Sequence, residues 1–213
     1  MNANYLQSTF YFDIDSEEIQ NLVKEFINLD SDKEKIEKLY LKVRDNWRYN
    51  PYVIGLTNKH YTASFIANKK EAHCIDKAIL FVAGLRALNI PARLRLAKVS
   101  NHIAVEKLVN KLGSNHIAPH GLTEVFYNNK WVKCSPAFNK ELCELYNVAP
   151  LDFDGTQDSI FQEYNRDNAK FMSYAEDYGS FDDVPLDFIK TTFRNNYPKF
   201  YEQFKDASEV NIT

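Results

Sequence analysis

Apolar residues recur at helical spacing through the first half of the chain. Ile19, Leu22, Val23 and Phe26 share one face, with Asp15 and Glu18 ahead of them at capping-box spacing. Ser31 and Glu34 repeat the device before Ile36, Leu39, Tyr40, Val43 and Trp47, and Asn50-Pro51 closes this second helix. Residues 52–61 read as a loop and 62–68 as a short helix. A third strong pattern of helical period starts directly after Cys74, runs through Arg86 and stops at Pro91.

The pattern then changes. Residues 92–99 alternate, with Leu94 and Leu96 set against Arg93 and Arg95, which predicts a strand. Ile103, Val105, Leu108 and Leu112 predict a short amphipathic helix closed by Gly113. Residues 120–127 and 130–135 read as two strands joined by a hairpin turn at Asn128-Asn129. The aromatic and acidic remainder predicts two more helices, around 160–175 and 186–204. Helices first and an antiparallel sheet later make the fold class α+β.

The 213 residues fit one domain over 1–213, with core motifs at about 40–139 and a helical C-terminal extension over 140–213. A hydrophobic share of 45% supports a sizeable core and argues against wholesale disorder. A net charge of -3 gives no electrostatic reason to expect nucleic acid as a partner. Three cysteines are too few and too unevenly spaced for a disulfide framework. No basic and apolar leader opens the chain, and no stretch approaches the roughly 18 apolar residues of a membrane span. A soluble, cytoplasmic protein without membrane partners is the expectation.

Cys74 is the leading candidate for chemistry. Unpaired backbone N–H groups at a helix start favour negative charge, so a cysteine there has its reactive thiolate stabilised. The same groups can hold the oxyanion that forms when a thiolate attacks an acyl carbon. His120, on a later strand, supplies a base. With the turn at Asn128-Asn129, Tyr127 pairs with Lys130, Leu122 with Ser135 and His120 with Ala137. Ser135 and Asn139 then become diagonal neighbours of His120, able to fix its tautomer. A one-residue change of turn length would swap the faces.

Other residues carry plainer expectations. His73 is expected to point away from the site. His102, His116, Cys134 and Cys143 lack zinc-ligand spacing, so neither metal nor organic cofactor is expected. Cys134 and Cys143 read as core thiols, Arg86 and Arg93 as ion-paired, and Trp131 as packing beneath the site. Tyr52 and Tyr61 could line a cleft.

Cys74-Ile75-Asp76-Lys77-Ala78 followed by Leu85-Arg86-Ala87-Leu88-Asn89-Ile90-Pro91-Ala92-Arg93 resembles the signature of transglutaminase-like domains, in the papain-like cysteine superfamily. His120-Gly121-Leu122-Thr123-Glu124-Val125 and Trp131 resemble that family's histidine strand and following tryptophan, and Ala63-Ser64 fits the helix before the cysteine. The tail around Asp154-Gly155-Thr156 is similar to that of bacterial members. The resemblance implies a papain-like core with the nucleophile helix packed on an antiparallel sheet, Cys74 as nucleophile and His120 as general base and acid. It also implies an aspartate four residues after the tryptophan, where this chain has Ser135. Asn139 is the other candidate orienter, favoured slightly because an amide carbonyl is a better fixed acceptor. The implied activity is acyl transfer on a peptide or protein amide through a thioester. Hydrolysis is expected over cross-linking, because water is always present whereas amine transfer needs a site that excludes it, and no residue identifies one. The alternative is a non-catalytic binding or scaffold domain that keeps the fold with a degraded triad.

Overall fold

A computed structural model of the chain describes residues 3–55, 57–103, 109–110, 112–204 and 209–211. The two leading helical patterns form α1 (Glu17–Val23) and α2 (Asp32–Asn46), each burying the predicted apolar face. Ser31 caps α2 by accepting from the Glu34 N–H at 3.2 Å. The cap of α1 is Ser16 rather than Asp15, and its side chain makes no capping bond. Tyr49 and Ala72 pair across two short parallel strands, β1 (Arg48–Tyr49) and β3 (Glu71–Ala72). Between them lie β2 (Val53–Gly55), a 3₁₀ turn at Asn58–Tyr61 and α3 (Ala63–Ala67). These strands are too short for two-residue periodicity to register.

The centre of the molecule is α4 (Cys74–Ala87), buried on every side from Cys74 to Arg86. A helix apolar all round must be covered all round. One side takes α1, α2 and α3, and the other takes the sheet strand that carries His120. Gly84 permits the helix crossing, since a Cβ there would stand 2.9 Å from Leu39 Cδ2. Asn89, at φ 61°, ends the helix in the left-handed conformation before Pro91.

The main sheet has four antiparallel strands in the order β6-β5-β4-β7, drawn from β4 (Ala92–Asn101), β5 (His116–Tyr127), β6 (Lys130–Cys134) and β7 (Met172–Phe181). Asn128 and Asn129 both take positive φ, at 49° and 61°, as a two-residue type I′ hairpin requires. The ladder runs from Tyr127–Lys130 to Thr123–Cys134, the register expected from that turn.

The C-terminal third departs from expectation. Residues 160–175 do not form a helix. Asn165 to Asn168 make a turn, with Asn165 Oδ1 accepting from the Asp167 and Ala169 N–H groups, and the chain then enters β7. β7 pairs with β4 from Asn101–Met172 to Leu94–Phe181, so the tail supplies an edge strand as well as helices. The predicted helix over 186–204 is two helices, α6 (Leu186–Asn196) and α7 (Pro198–Phe204), after a short α5 (Lys140–Leu145). Pro198 cannot donate the next helical bond and drives Tyr197 to φ −134°, which breaks the run. β8 (Glu209–Asn211) returns to pair with β2. The helix expected at Ile103 to Leu112 falls largely outside the described residues. No helix among the described residues is long and apolar enough to cross a membrane.

Candidate active site

The N-terminus of α4 is fixed by a reciprocal cap. His73 Nδ1 accepts from the Asp76 N–H at 3.1 Å, while Asp76 Oδ2 accepts from the His73 N–H at 3.4 Å and from Lys69 Nζ at 2.8 Å. Burial works to raise the Asp76 carboxyl, but His73 and Lys69 beside it outweigh burial and hold it below its ordinary range. His73 takes a capping role that the sequence alone does not assign, and it lines the same cleft as Cys74 rather than pointing elsewhere. It sets the angle at which Cys74 begins the helix.

Three residues on, Lys77 is buried without a carboxylate partner. Its Nζ donates to the carbonyls of Arg44 at 2.7 Å, Trp47 at 2.9 Å and Ala137 at 2.8 Å. Burial lowers its ammonium to about 7. The first two acceptors lie at the C-terminal end of α2, where helical carbonyls lack partners and carry partial negative charge. Lys77 thus ties α2 and the stretch after β6 to α4. A lysine on the most apolar helix of the chain is the signal that could have revealed it.

Strand β5 meets α4 at Gly121. A Cβ there would lie 2.6 Å from Ile75 Cα and 2.9 Å from the Cys74 carbonyl oxygen, so only glycine allows this approach. Thr123, two residues along on the same face, donates to the Ala78 carbonyl at 3.3 Å. The N–H groups of Gly121, Ile75 and Cys74 itself approach the sulfur and favour its thiolate. Burial opposes them and wins, pushing the thiol up to about 11. The helix terminus is therefore present as expected, but desolvation outweighs it in this state.

His120 precedes Gly121 and its side chain alternates to the other face of β5. Burial drives its imidazole down to about 4, with His73 acting in the same sense. Nδ1 is buried with no hydrogen-bond partner among the described residues. No hydrogen bond joins His120 to Cys74 there either, and the two side chains line different cavities. His120 shares a cavity of about 250 Å³ with Ser135, Phe138, Gln162 and Met172. Cys74 lines a cleft that is open to solvent, with His73, Tyr49, Tyr61, Pro119, Phe193 and Tyr197.

The two candidate orienters separate. Ser135 faces the His120 cavity, and its backbone is pinned by Tyr40 Oη donating to its carbonyl at 2.9 Å. Asn139 does not reach His120. Its Oδ1 accepts from the Tyr49 N–H at 2.9 Å and its Nδ2 donates to Glu141. The reason is that β6 ends at Cys134: the Ser135 N–H donates to the Ser159 carbonyl at 3.0 Å, so the ladder on which the diagonal contact depended stops short of Asn139.

Further expectations divide the same way. Cys134 and Cys143 are fully buried core thiols. Tyr61 lines the Cys74 cleft, whereas Tyr52 is buried and does not line it. Arg93 is paired with Glu124 at 2.6 Å, but Arg86 has no carboxylate and donates to the Ala92, Gln7 and Asp182 carbonyls. Trp131 is structural yet lies at the hairpin end, stacked under Arg93 at 4.0 Å and against Tyr5 and Phe126, not beneath the site. His102 and His116 bond Ser173 and Ser100, each at 2.9 Å. Tyr49 carries no sequence signal of a role in the site. It lines the cleft with its hydroxyl buried and without a partner among the described residues.

A buried cysteine opening a central helix, a histidine on the strand crossing its N-terminus and a hairpin behind that strand belong together. The chain is a member of the transglutaminase-like superfamily, whose core model matches residues 20–136. Its fold is the papain-like arrangement of helices and antiparallel sheet. Among solved structures, a candidate cysteine protease of Cytophaga hutchinsonii is similar at 19% identity and a TM-score of 0.48, over 80% of this chain and 62% of that one. The chain thus spans less than two thirds of that protein's length. No curated protein matches the chain.

Proposed function

We propose that the protein is a single-domain, cysteine-dependent acyl-transfer enzyme that cleaves an amide through a Cys74 thioester. The observation that carries this reading is the position of Cys74. It opens α4, lines the large cleft, and has the N–H groups of Gly121 and Ile75 at its sulfur. Backbone donors so close to the nucleophile support an oxyanion site beside it. Superfamily membership supports the assignment of Cys74 as nucleophile and His120 as base.

The chemistry follows from neutral partners. With the thiol raised and the imidazole lowered, a preformed thiolate–imidazolium pair is disfavoured. His120 lies in a separate cavity with no bond to Cys74 among the described residues, so the reaction requires its ring to reach the sulfur. It then takes the Cys74 proton as the sulfur–carbon bond forms, and the carbonyl electrons move to an oxyanion held by backbone N–H groups. Collapse breaks the carbon–nitrogen bond, and His120 returns its proton to the departing amine. Water then attacks the thioester, His120 takes its proton, the acid leaves, and the sulfur is reprotonated. Hydrolysis is favoured over cross-linking because no carboxylate among the described residues lines the cleft to receive a cationic amine acceptor.

A second reading has its own support. Ser135 stands where the family carries an acid, and His120 Nδ1 has no partner among the described residues. A serine cannot stabilise imidazolium by charge, and a non-catalytic binding domain is consistent with that. Alkylation by iodoacetamide with peptide mapping separates the two. The enzyme reading expects Cys74 to be modified faster than Cys134 and Cys143 in the native protein, with the rate lowered by His120→Ala. Indifference to His120→Ala, or preferential modification of Cys134 or Cys143, leaves the binding domain.

A further inference from the structure

The cleft beside Cys74 is not built by the family core alone. Ile189, Lys190 and Phe193 come from α6, and Tyr197 and Tyr201 follow, all beyond residue 136 where the superfamily match ends. Ile189 and Phe193 share a face of α6, and Tyr197 at its end and Tyr201 beyond the break at Pro198 line the same cleft, so the C-terminal helices present an apolar, aromatic side to the nucleophile. Tyr197 anchors this roof: its hydroxyl donates to the His116 carbonyl and accepts from the Ala118 N–H, each at 2.8 Å. The roof is thus clasped to the start of β5.

Besides Cys74, His73 and the hydroxyls of Tyr61, Tyr197 and Tyr201, two polar features mark the lining. The Tyr49 hydroxyl, in a residue only 8% exposed that lines the cleft, is buried and has no partner among the described residues. An unpaired buried donor favours a ligand that brings it a carbonyl. Lys190 is the only lysine or arginine lining the cleft among the described residues, no carboxylate accompanies it there, and it has no ion pair among them. Apolar walls, one buried donor and one unpaired cation define a complementary ligand: a large apolar group, a carbonyl and a negative charge.

We propose that the Cys74 cleft receives an acylated amino acid or short peptide with a large aromatic side chain and a free carboxylate, the carboxylate meeting Lys190 and an amide carbonyl meeting Tyr49. This rests on the cleft identified above as the active site, and it gives that site a substrate class. The C-terminal helices, not the family core, then set specificity.

The test uses the full chain carrying Cys74→Ala, so that binding is read without turnover. Titration calorimetry would compare N-acetyl-L-phenylalanine, N-acetyl-L-phenylalaninamide and N-acetylglycine. The expected order is N-acetyl-L-phenylalanine tightest, with the neutral amide weaker by about fivefold, the scale of a partly exposed ion pair. N-acetylglycine should bind at least about tenfold more weakly than N-acetyl-L-phenylalanine, because burying an aromatic ring is worth more than about 1.4 kcal/mol. Lys190→Met should abolish the difference between acid and amide while keeping the preference for phenylalanine, and Tyr49→Phe should weaken both aromatic ligands. Equal binding of all three ligands, no binding by any, or an acid–amide difference that survives Lys190→Met overturns the inference. Its failure is separable from failure of the enzyme reading, because Cys74 alkylation in the wild-type chain reports on the latter alone. Binding in the expected order with an unreactive Cys74 would keep the ligand class and remove the enzyme.

Discussion

Two buried polar side chains near the start of α4 end in opposite states. Lys77 has all three ammonium protons donated to carbonyls, whereas His120, on the strand across from it, has a buried nitrogen with nothing to bond among the described residues. Both pay for desolvation through a lowered pKa, to about 7 and about 4. The difference is that Lys77 is saturated by fixed backbone and can do nothing further, while His120 keeps a site open. Saturated groups such as Lys77, Arg86 and Asp76 hold the scaffold. Among the open ones, His120 Nδ1, Gln162 Oε1 and the Tyr49 hydroxyl belong to residues that line one of the two cavities, whereas Ser16 Oγ, Trp47 Nε1 and Arg95 Nε do not.

The largest expected effect falls on the saturated side. Lys77→Ala removes a buried stem and strands three carbonyls, so urea unfolding should show a loss of about 3–5 kcal/mol. Lys77→Met, which keeps the stem, should recover part of that loss. A variant of wild-type stability would mean that the three bonds hold nothing together.

His120 gives the next effect, read through pH. Its folded-state pKa of about 4 lies below the ordinary 6.5, so the unfolded chain takes up a proton first as pH falls. Stability from the neutral, buried ring is fully present above pH 6.5 and is lost progressively as pH falls to about 4. The loss is on the order of 3 kcal/mol, since each tenfold drop in the ring's proton affinity corresponds to about 1.4 kcal/mol. His120→Gln should flatten the unfolding free energy across this window relative to wild type. Parallel curves for the two proteins would show that His120 is not held neutral.

Smaller effects sharpen the contrast. Gly121→Ala forces a methyl against Ile75 Cα, where the backbone cannot yield like a side chain, and should cost about 1–3 kcal/mol while slowing Cys74 alkylation. Asn139→Ala should cost about 1 kcal/mol, since it frees the Tyr49 N–H and the Glu141 carboxylate. It should leave the pH dependence of Cys74 alkylation unchanged, because Asn139 does not touch His120. A shifted profile would restore Asn139 as the orienter.

What could be read from the sequence was what depends on near neighbours. The Ser31 cap, the apolar run after Cys74 and the paired asparagines at the hairpin each act within a few residues, and each fixes its element without help from distant chain. β7 was illegible for the opposite reason: Met172–Phe181 is a strand only because β4 lies beside it, and its exposed edge carries no clean alternation. The break between α6 and α7 is written in Pro198, but the apolar spacing continues across it and reads as one helix. Cys74, His120 and Gly121 stand in the motif, and the hairpin register brings Ser135 to the His120 cavity but not to a bond with the ring's Nδ1. It failed at Asn139, where the ladder ends and loop geometry takes over. Tyr49 and Lys190 carry no local signal; only the folding of α6 over β1 brings them to one cleft.

The central claim is that Cys74 forms the thioester, and an acyl-transfer burst tests it most directly. Mixing the protein with excess p-nitrophenyl phenylacetate, quenching in acid and measuring intact mass should give about one equivalent of rapidly released p-nitrophenol, as covalent catalysis requires. The accompanying phenylacetyl adduct should map to Cys74, be lost to hydroxylamine, and be absent from Cys74→Ala. A phenylacetyl group on Cys134, Cys143 or a lysine, or a burst that survives Cys74→Ala, would contradict the account.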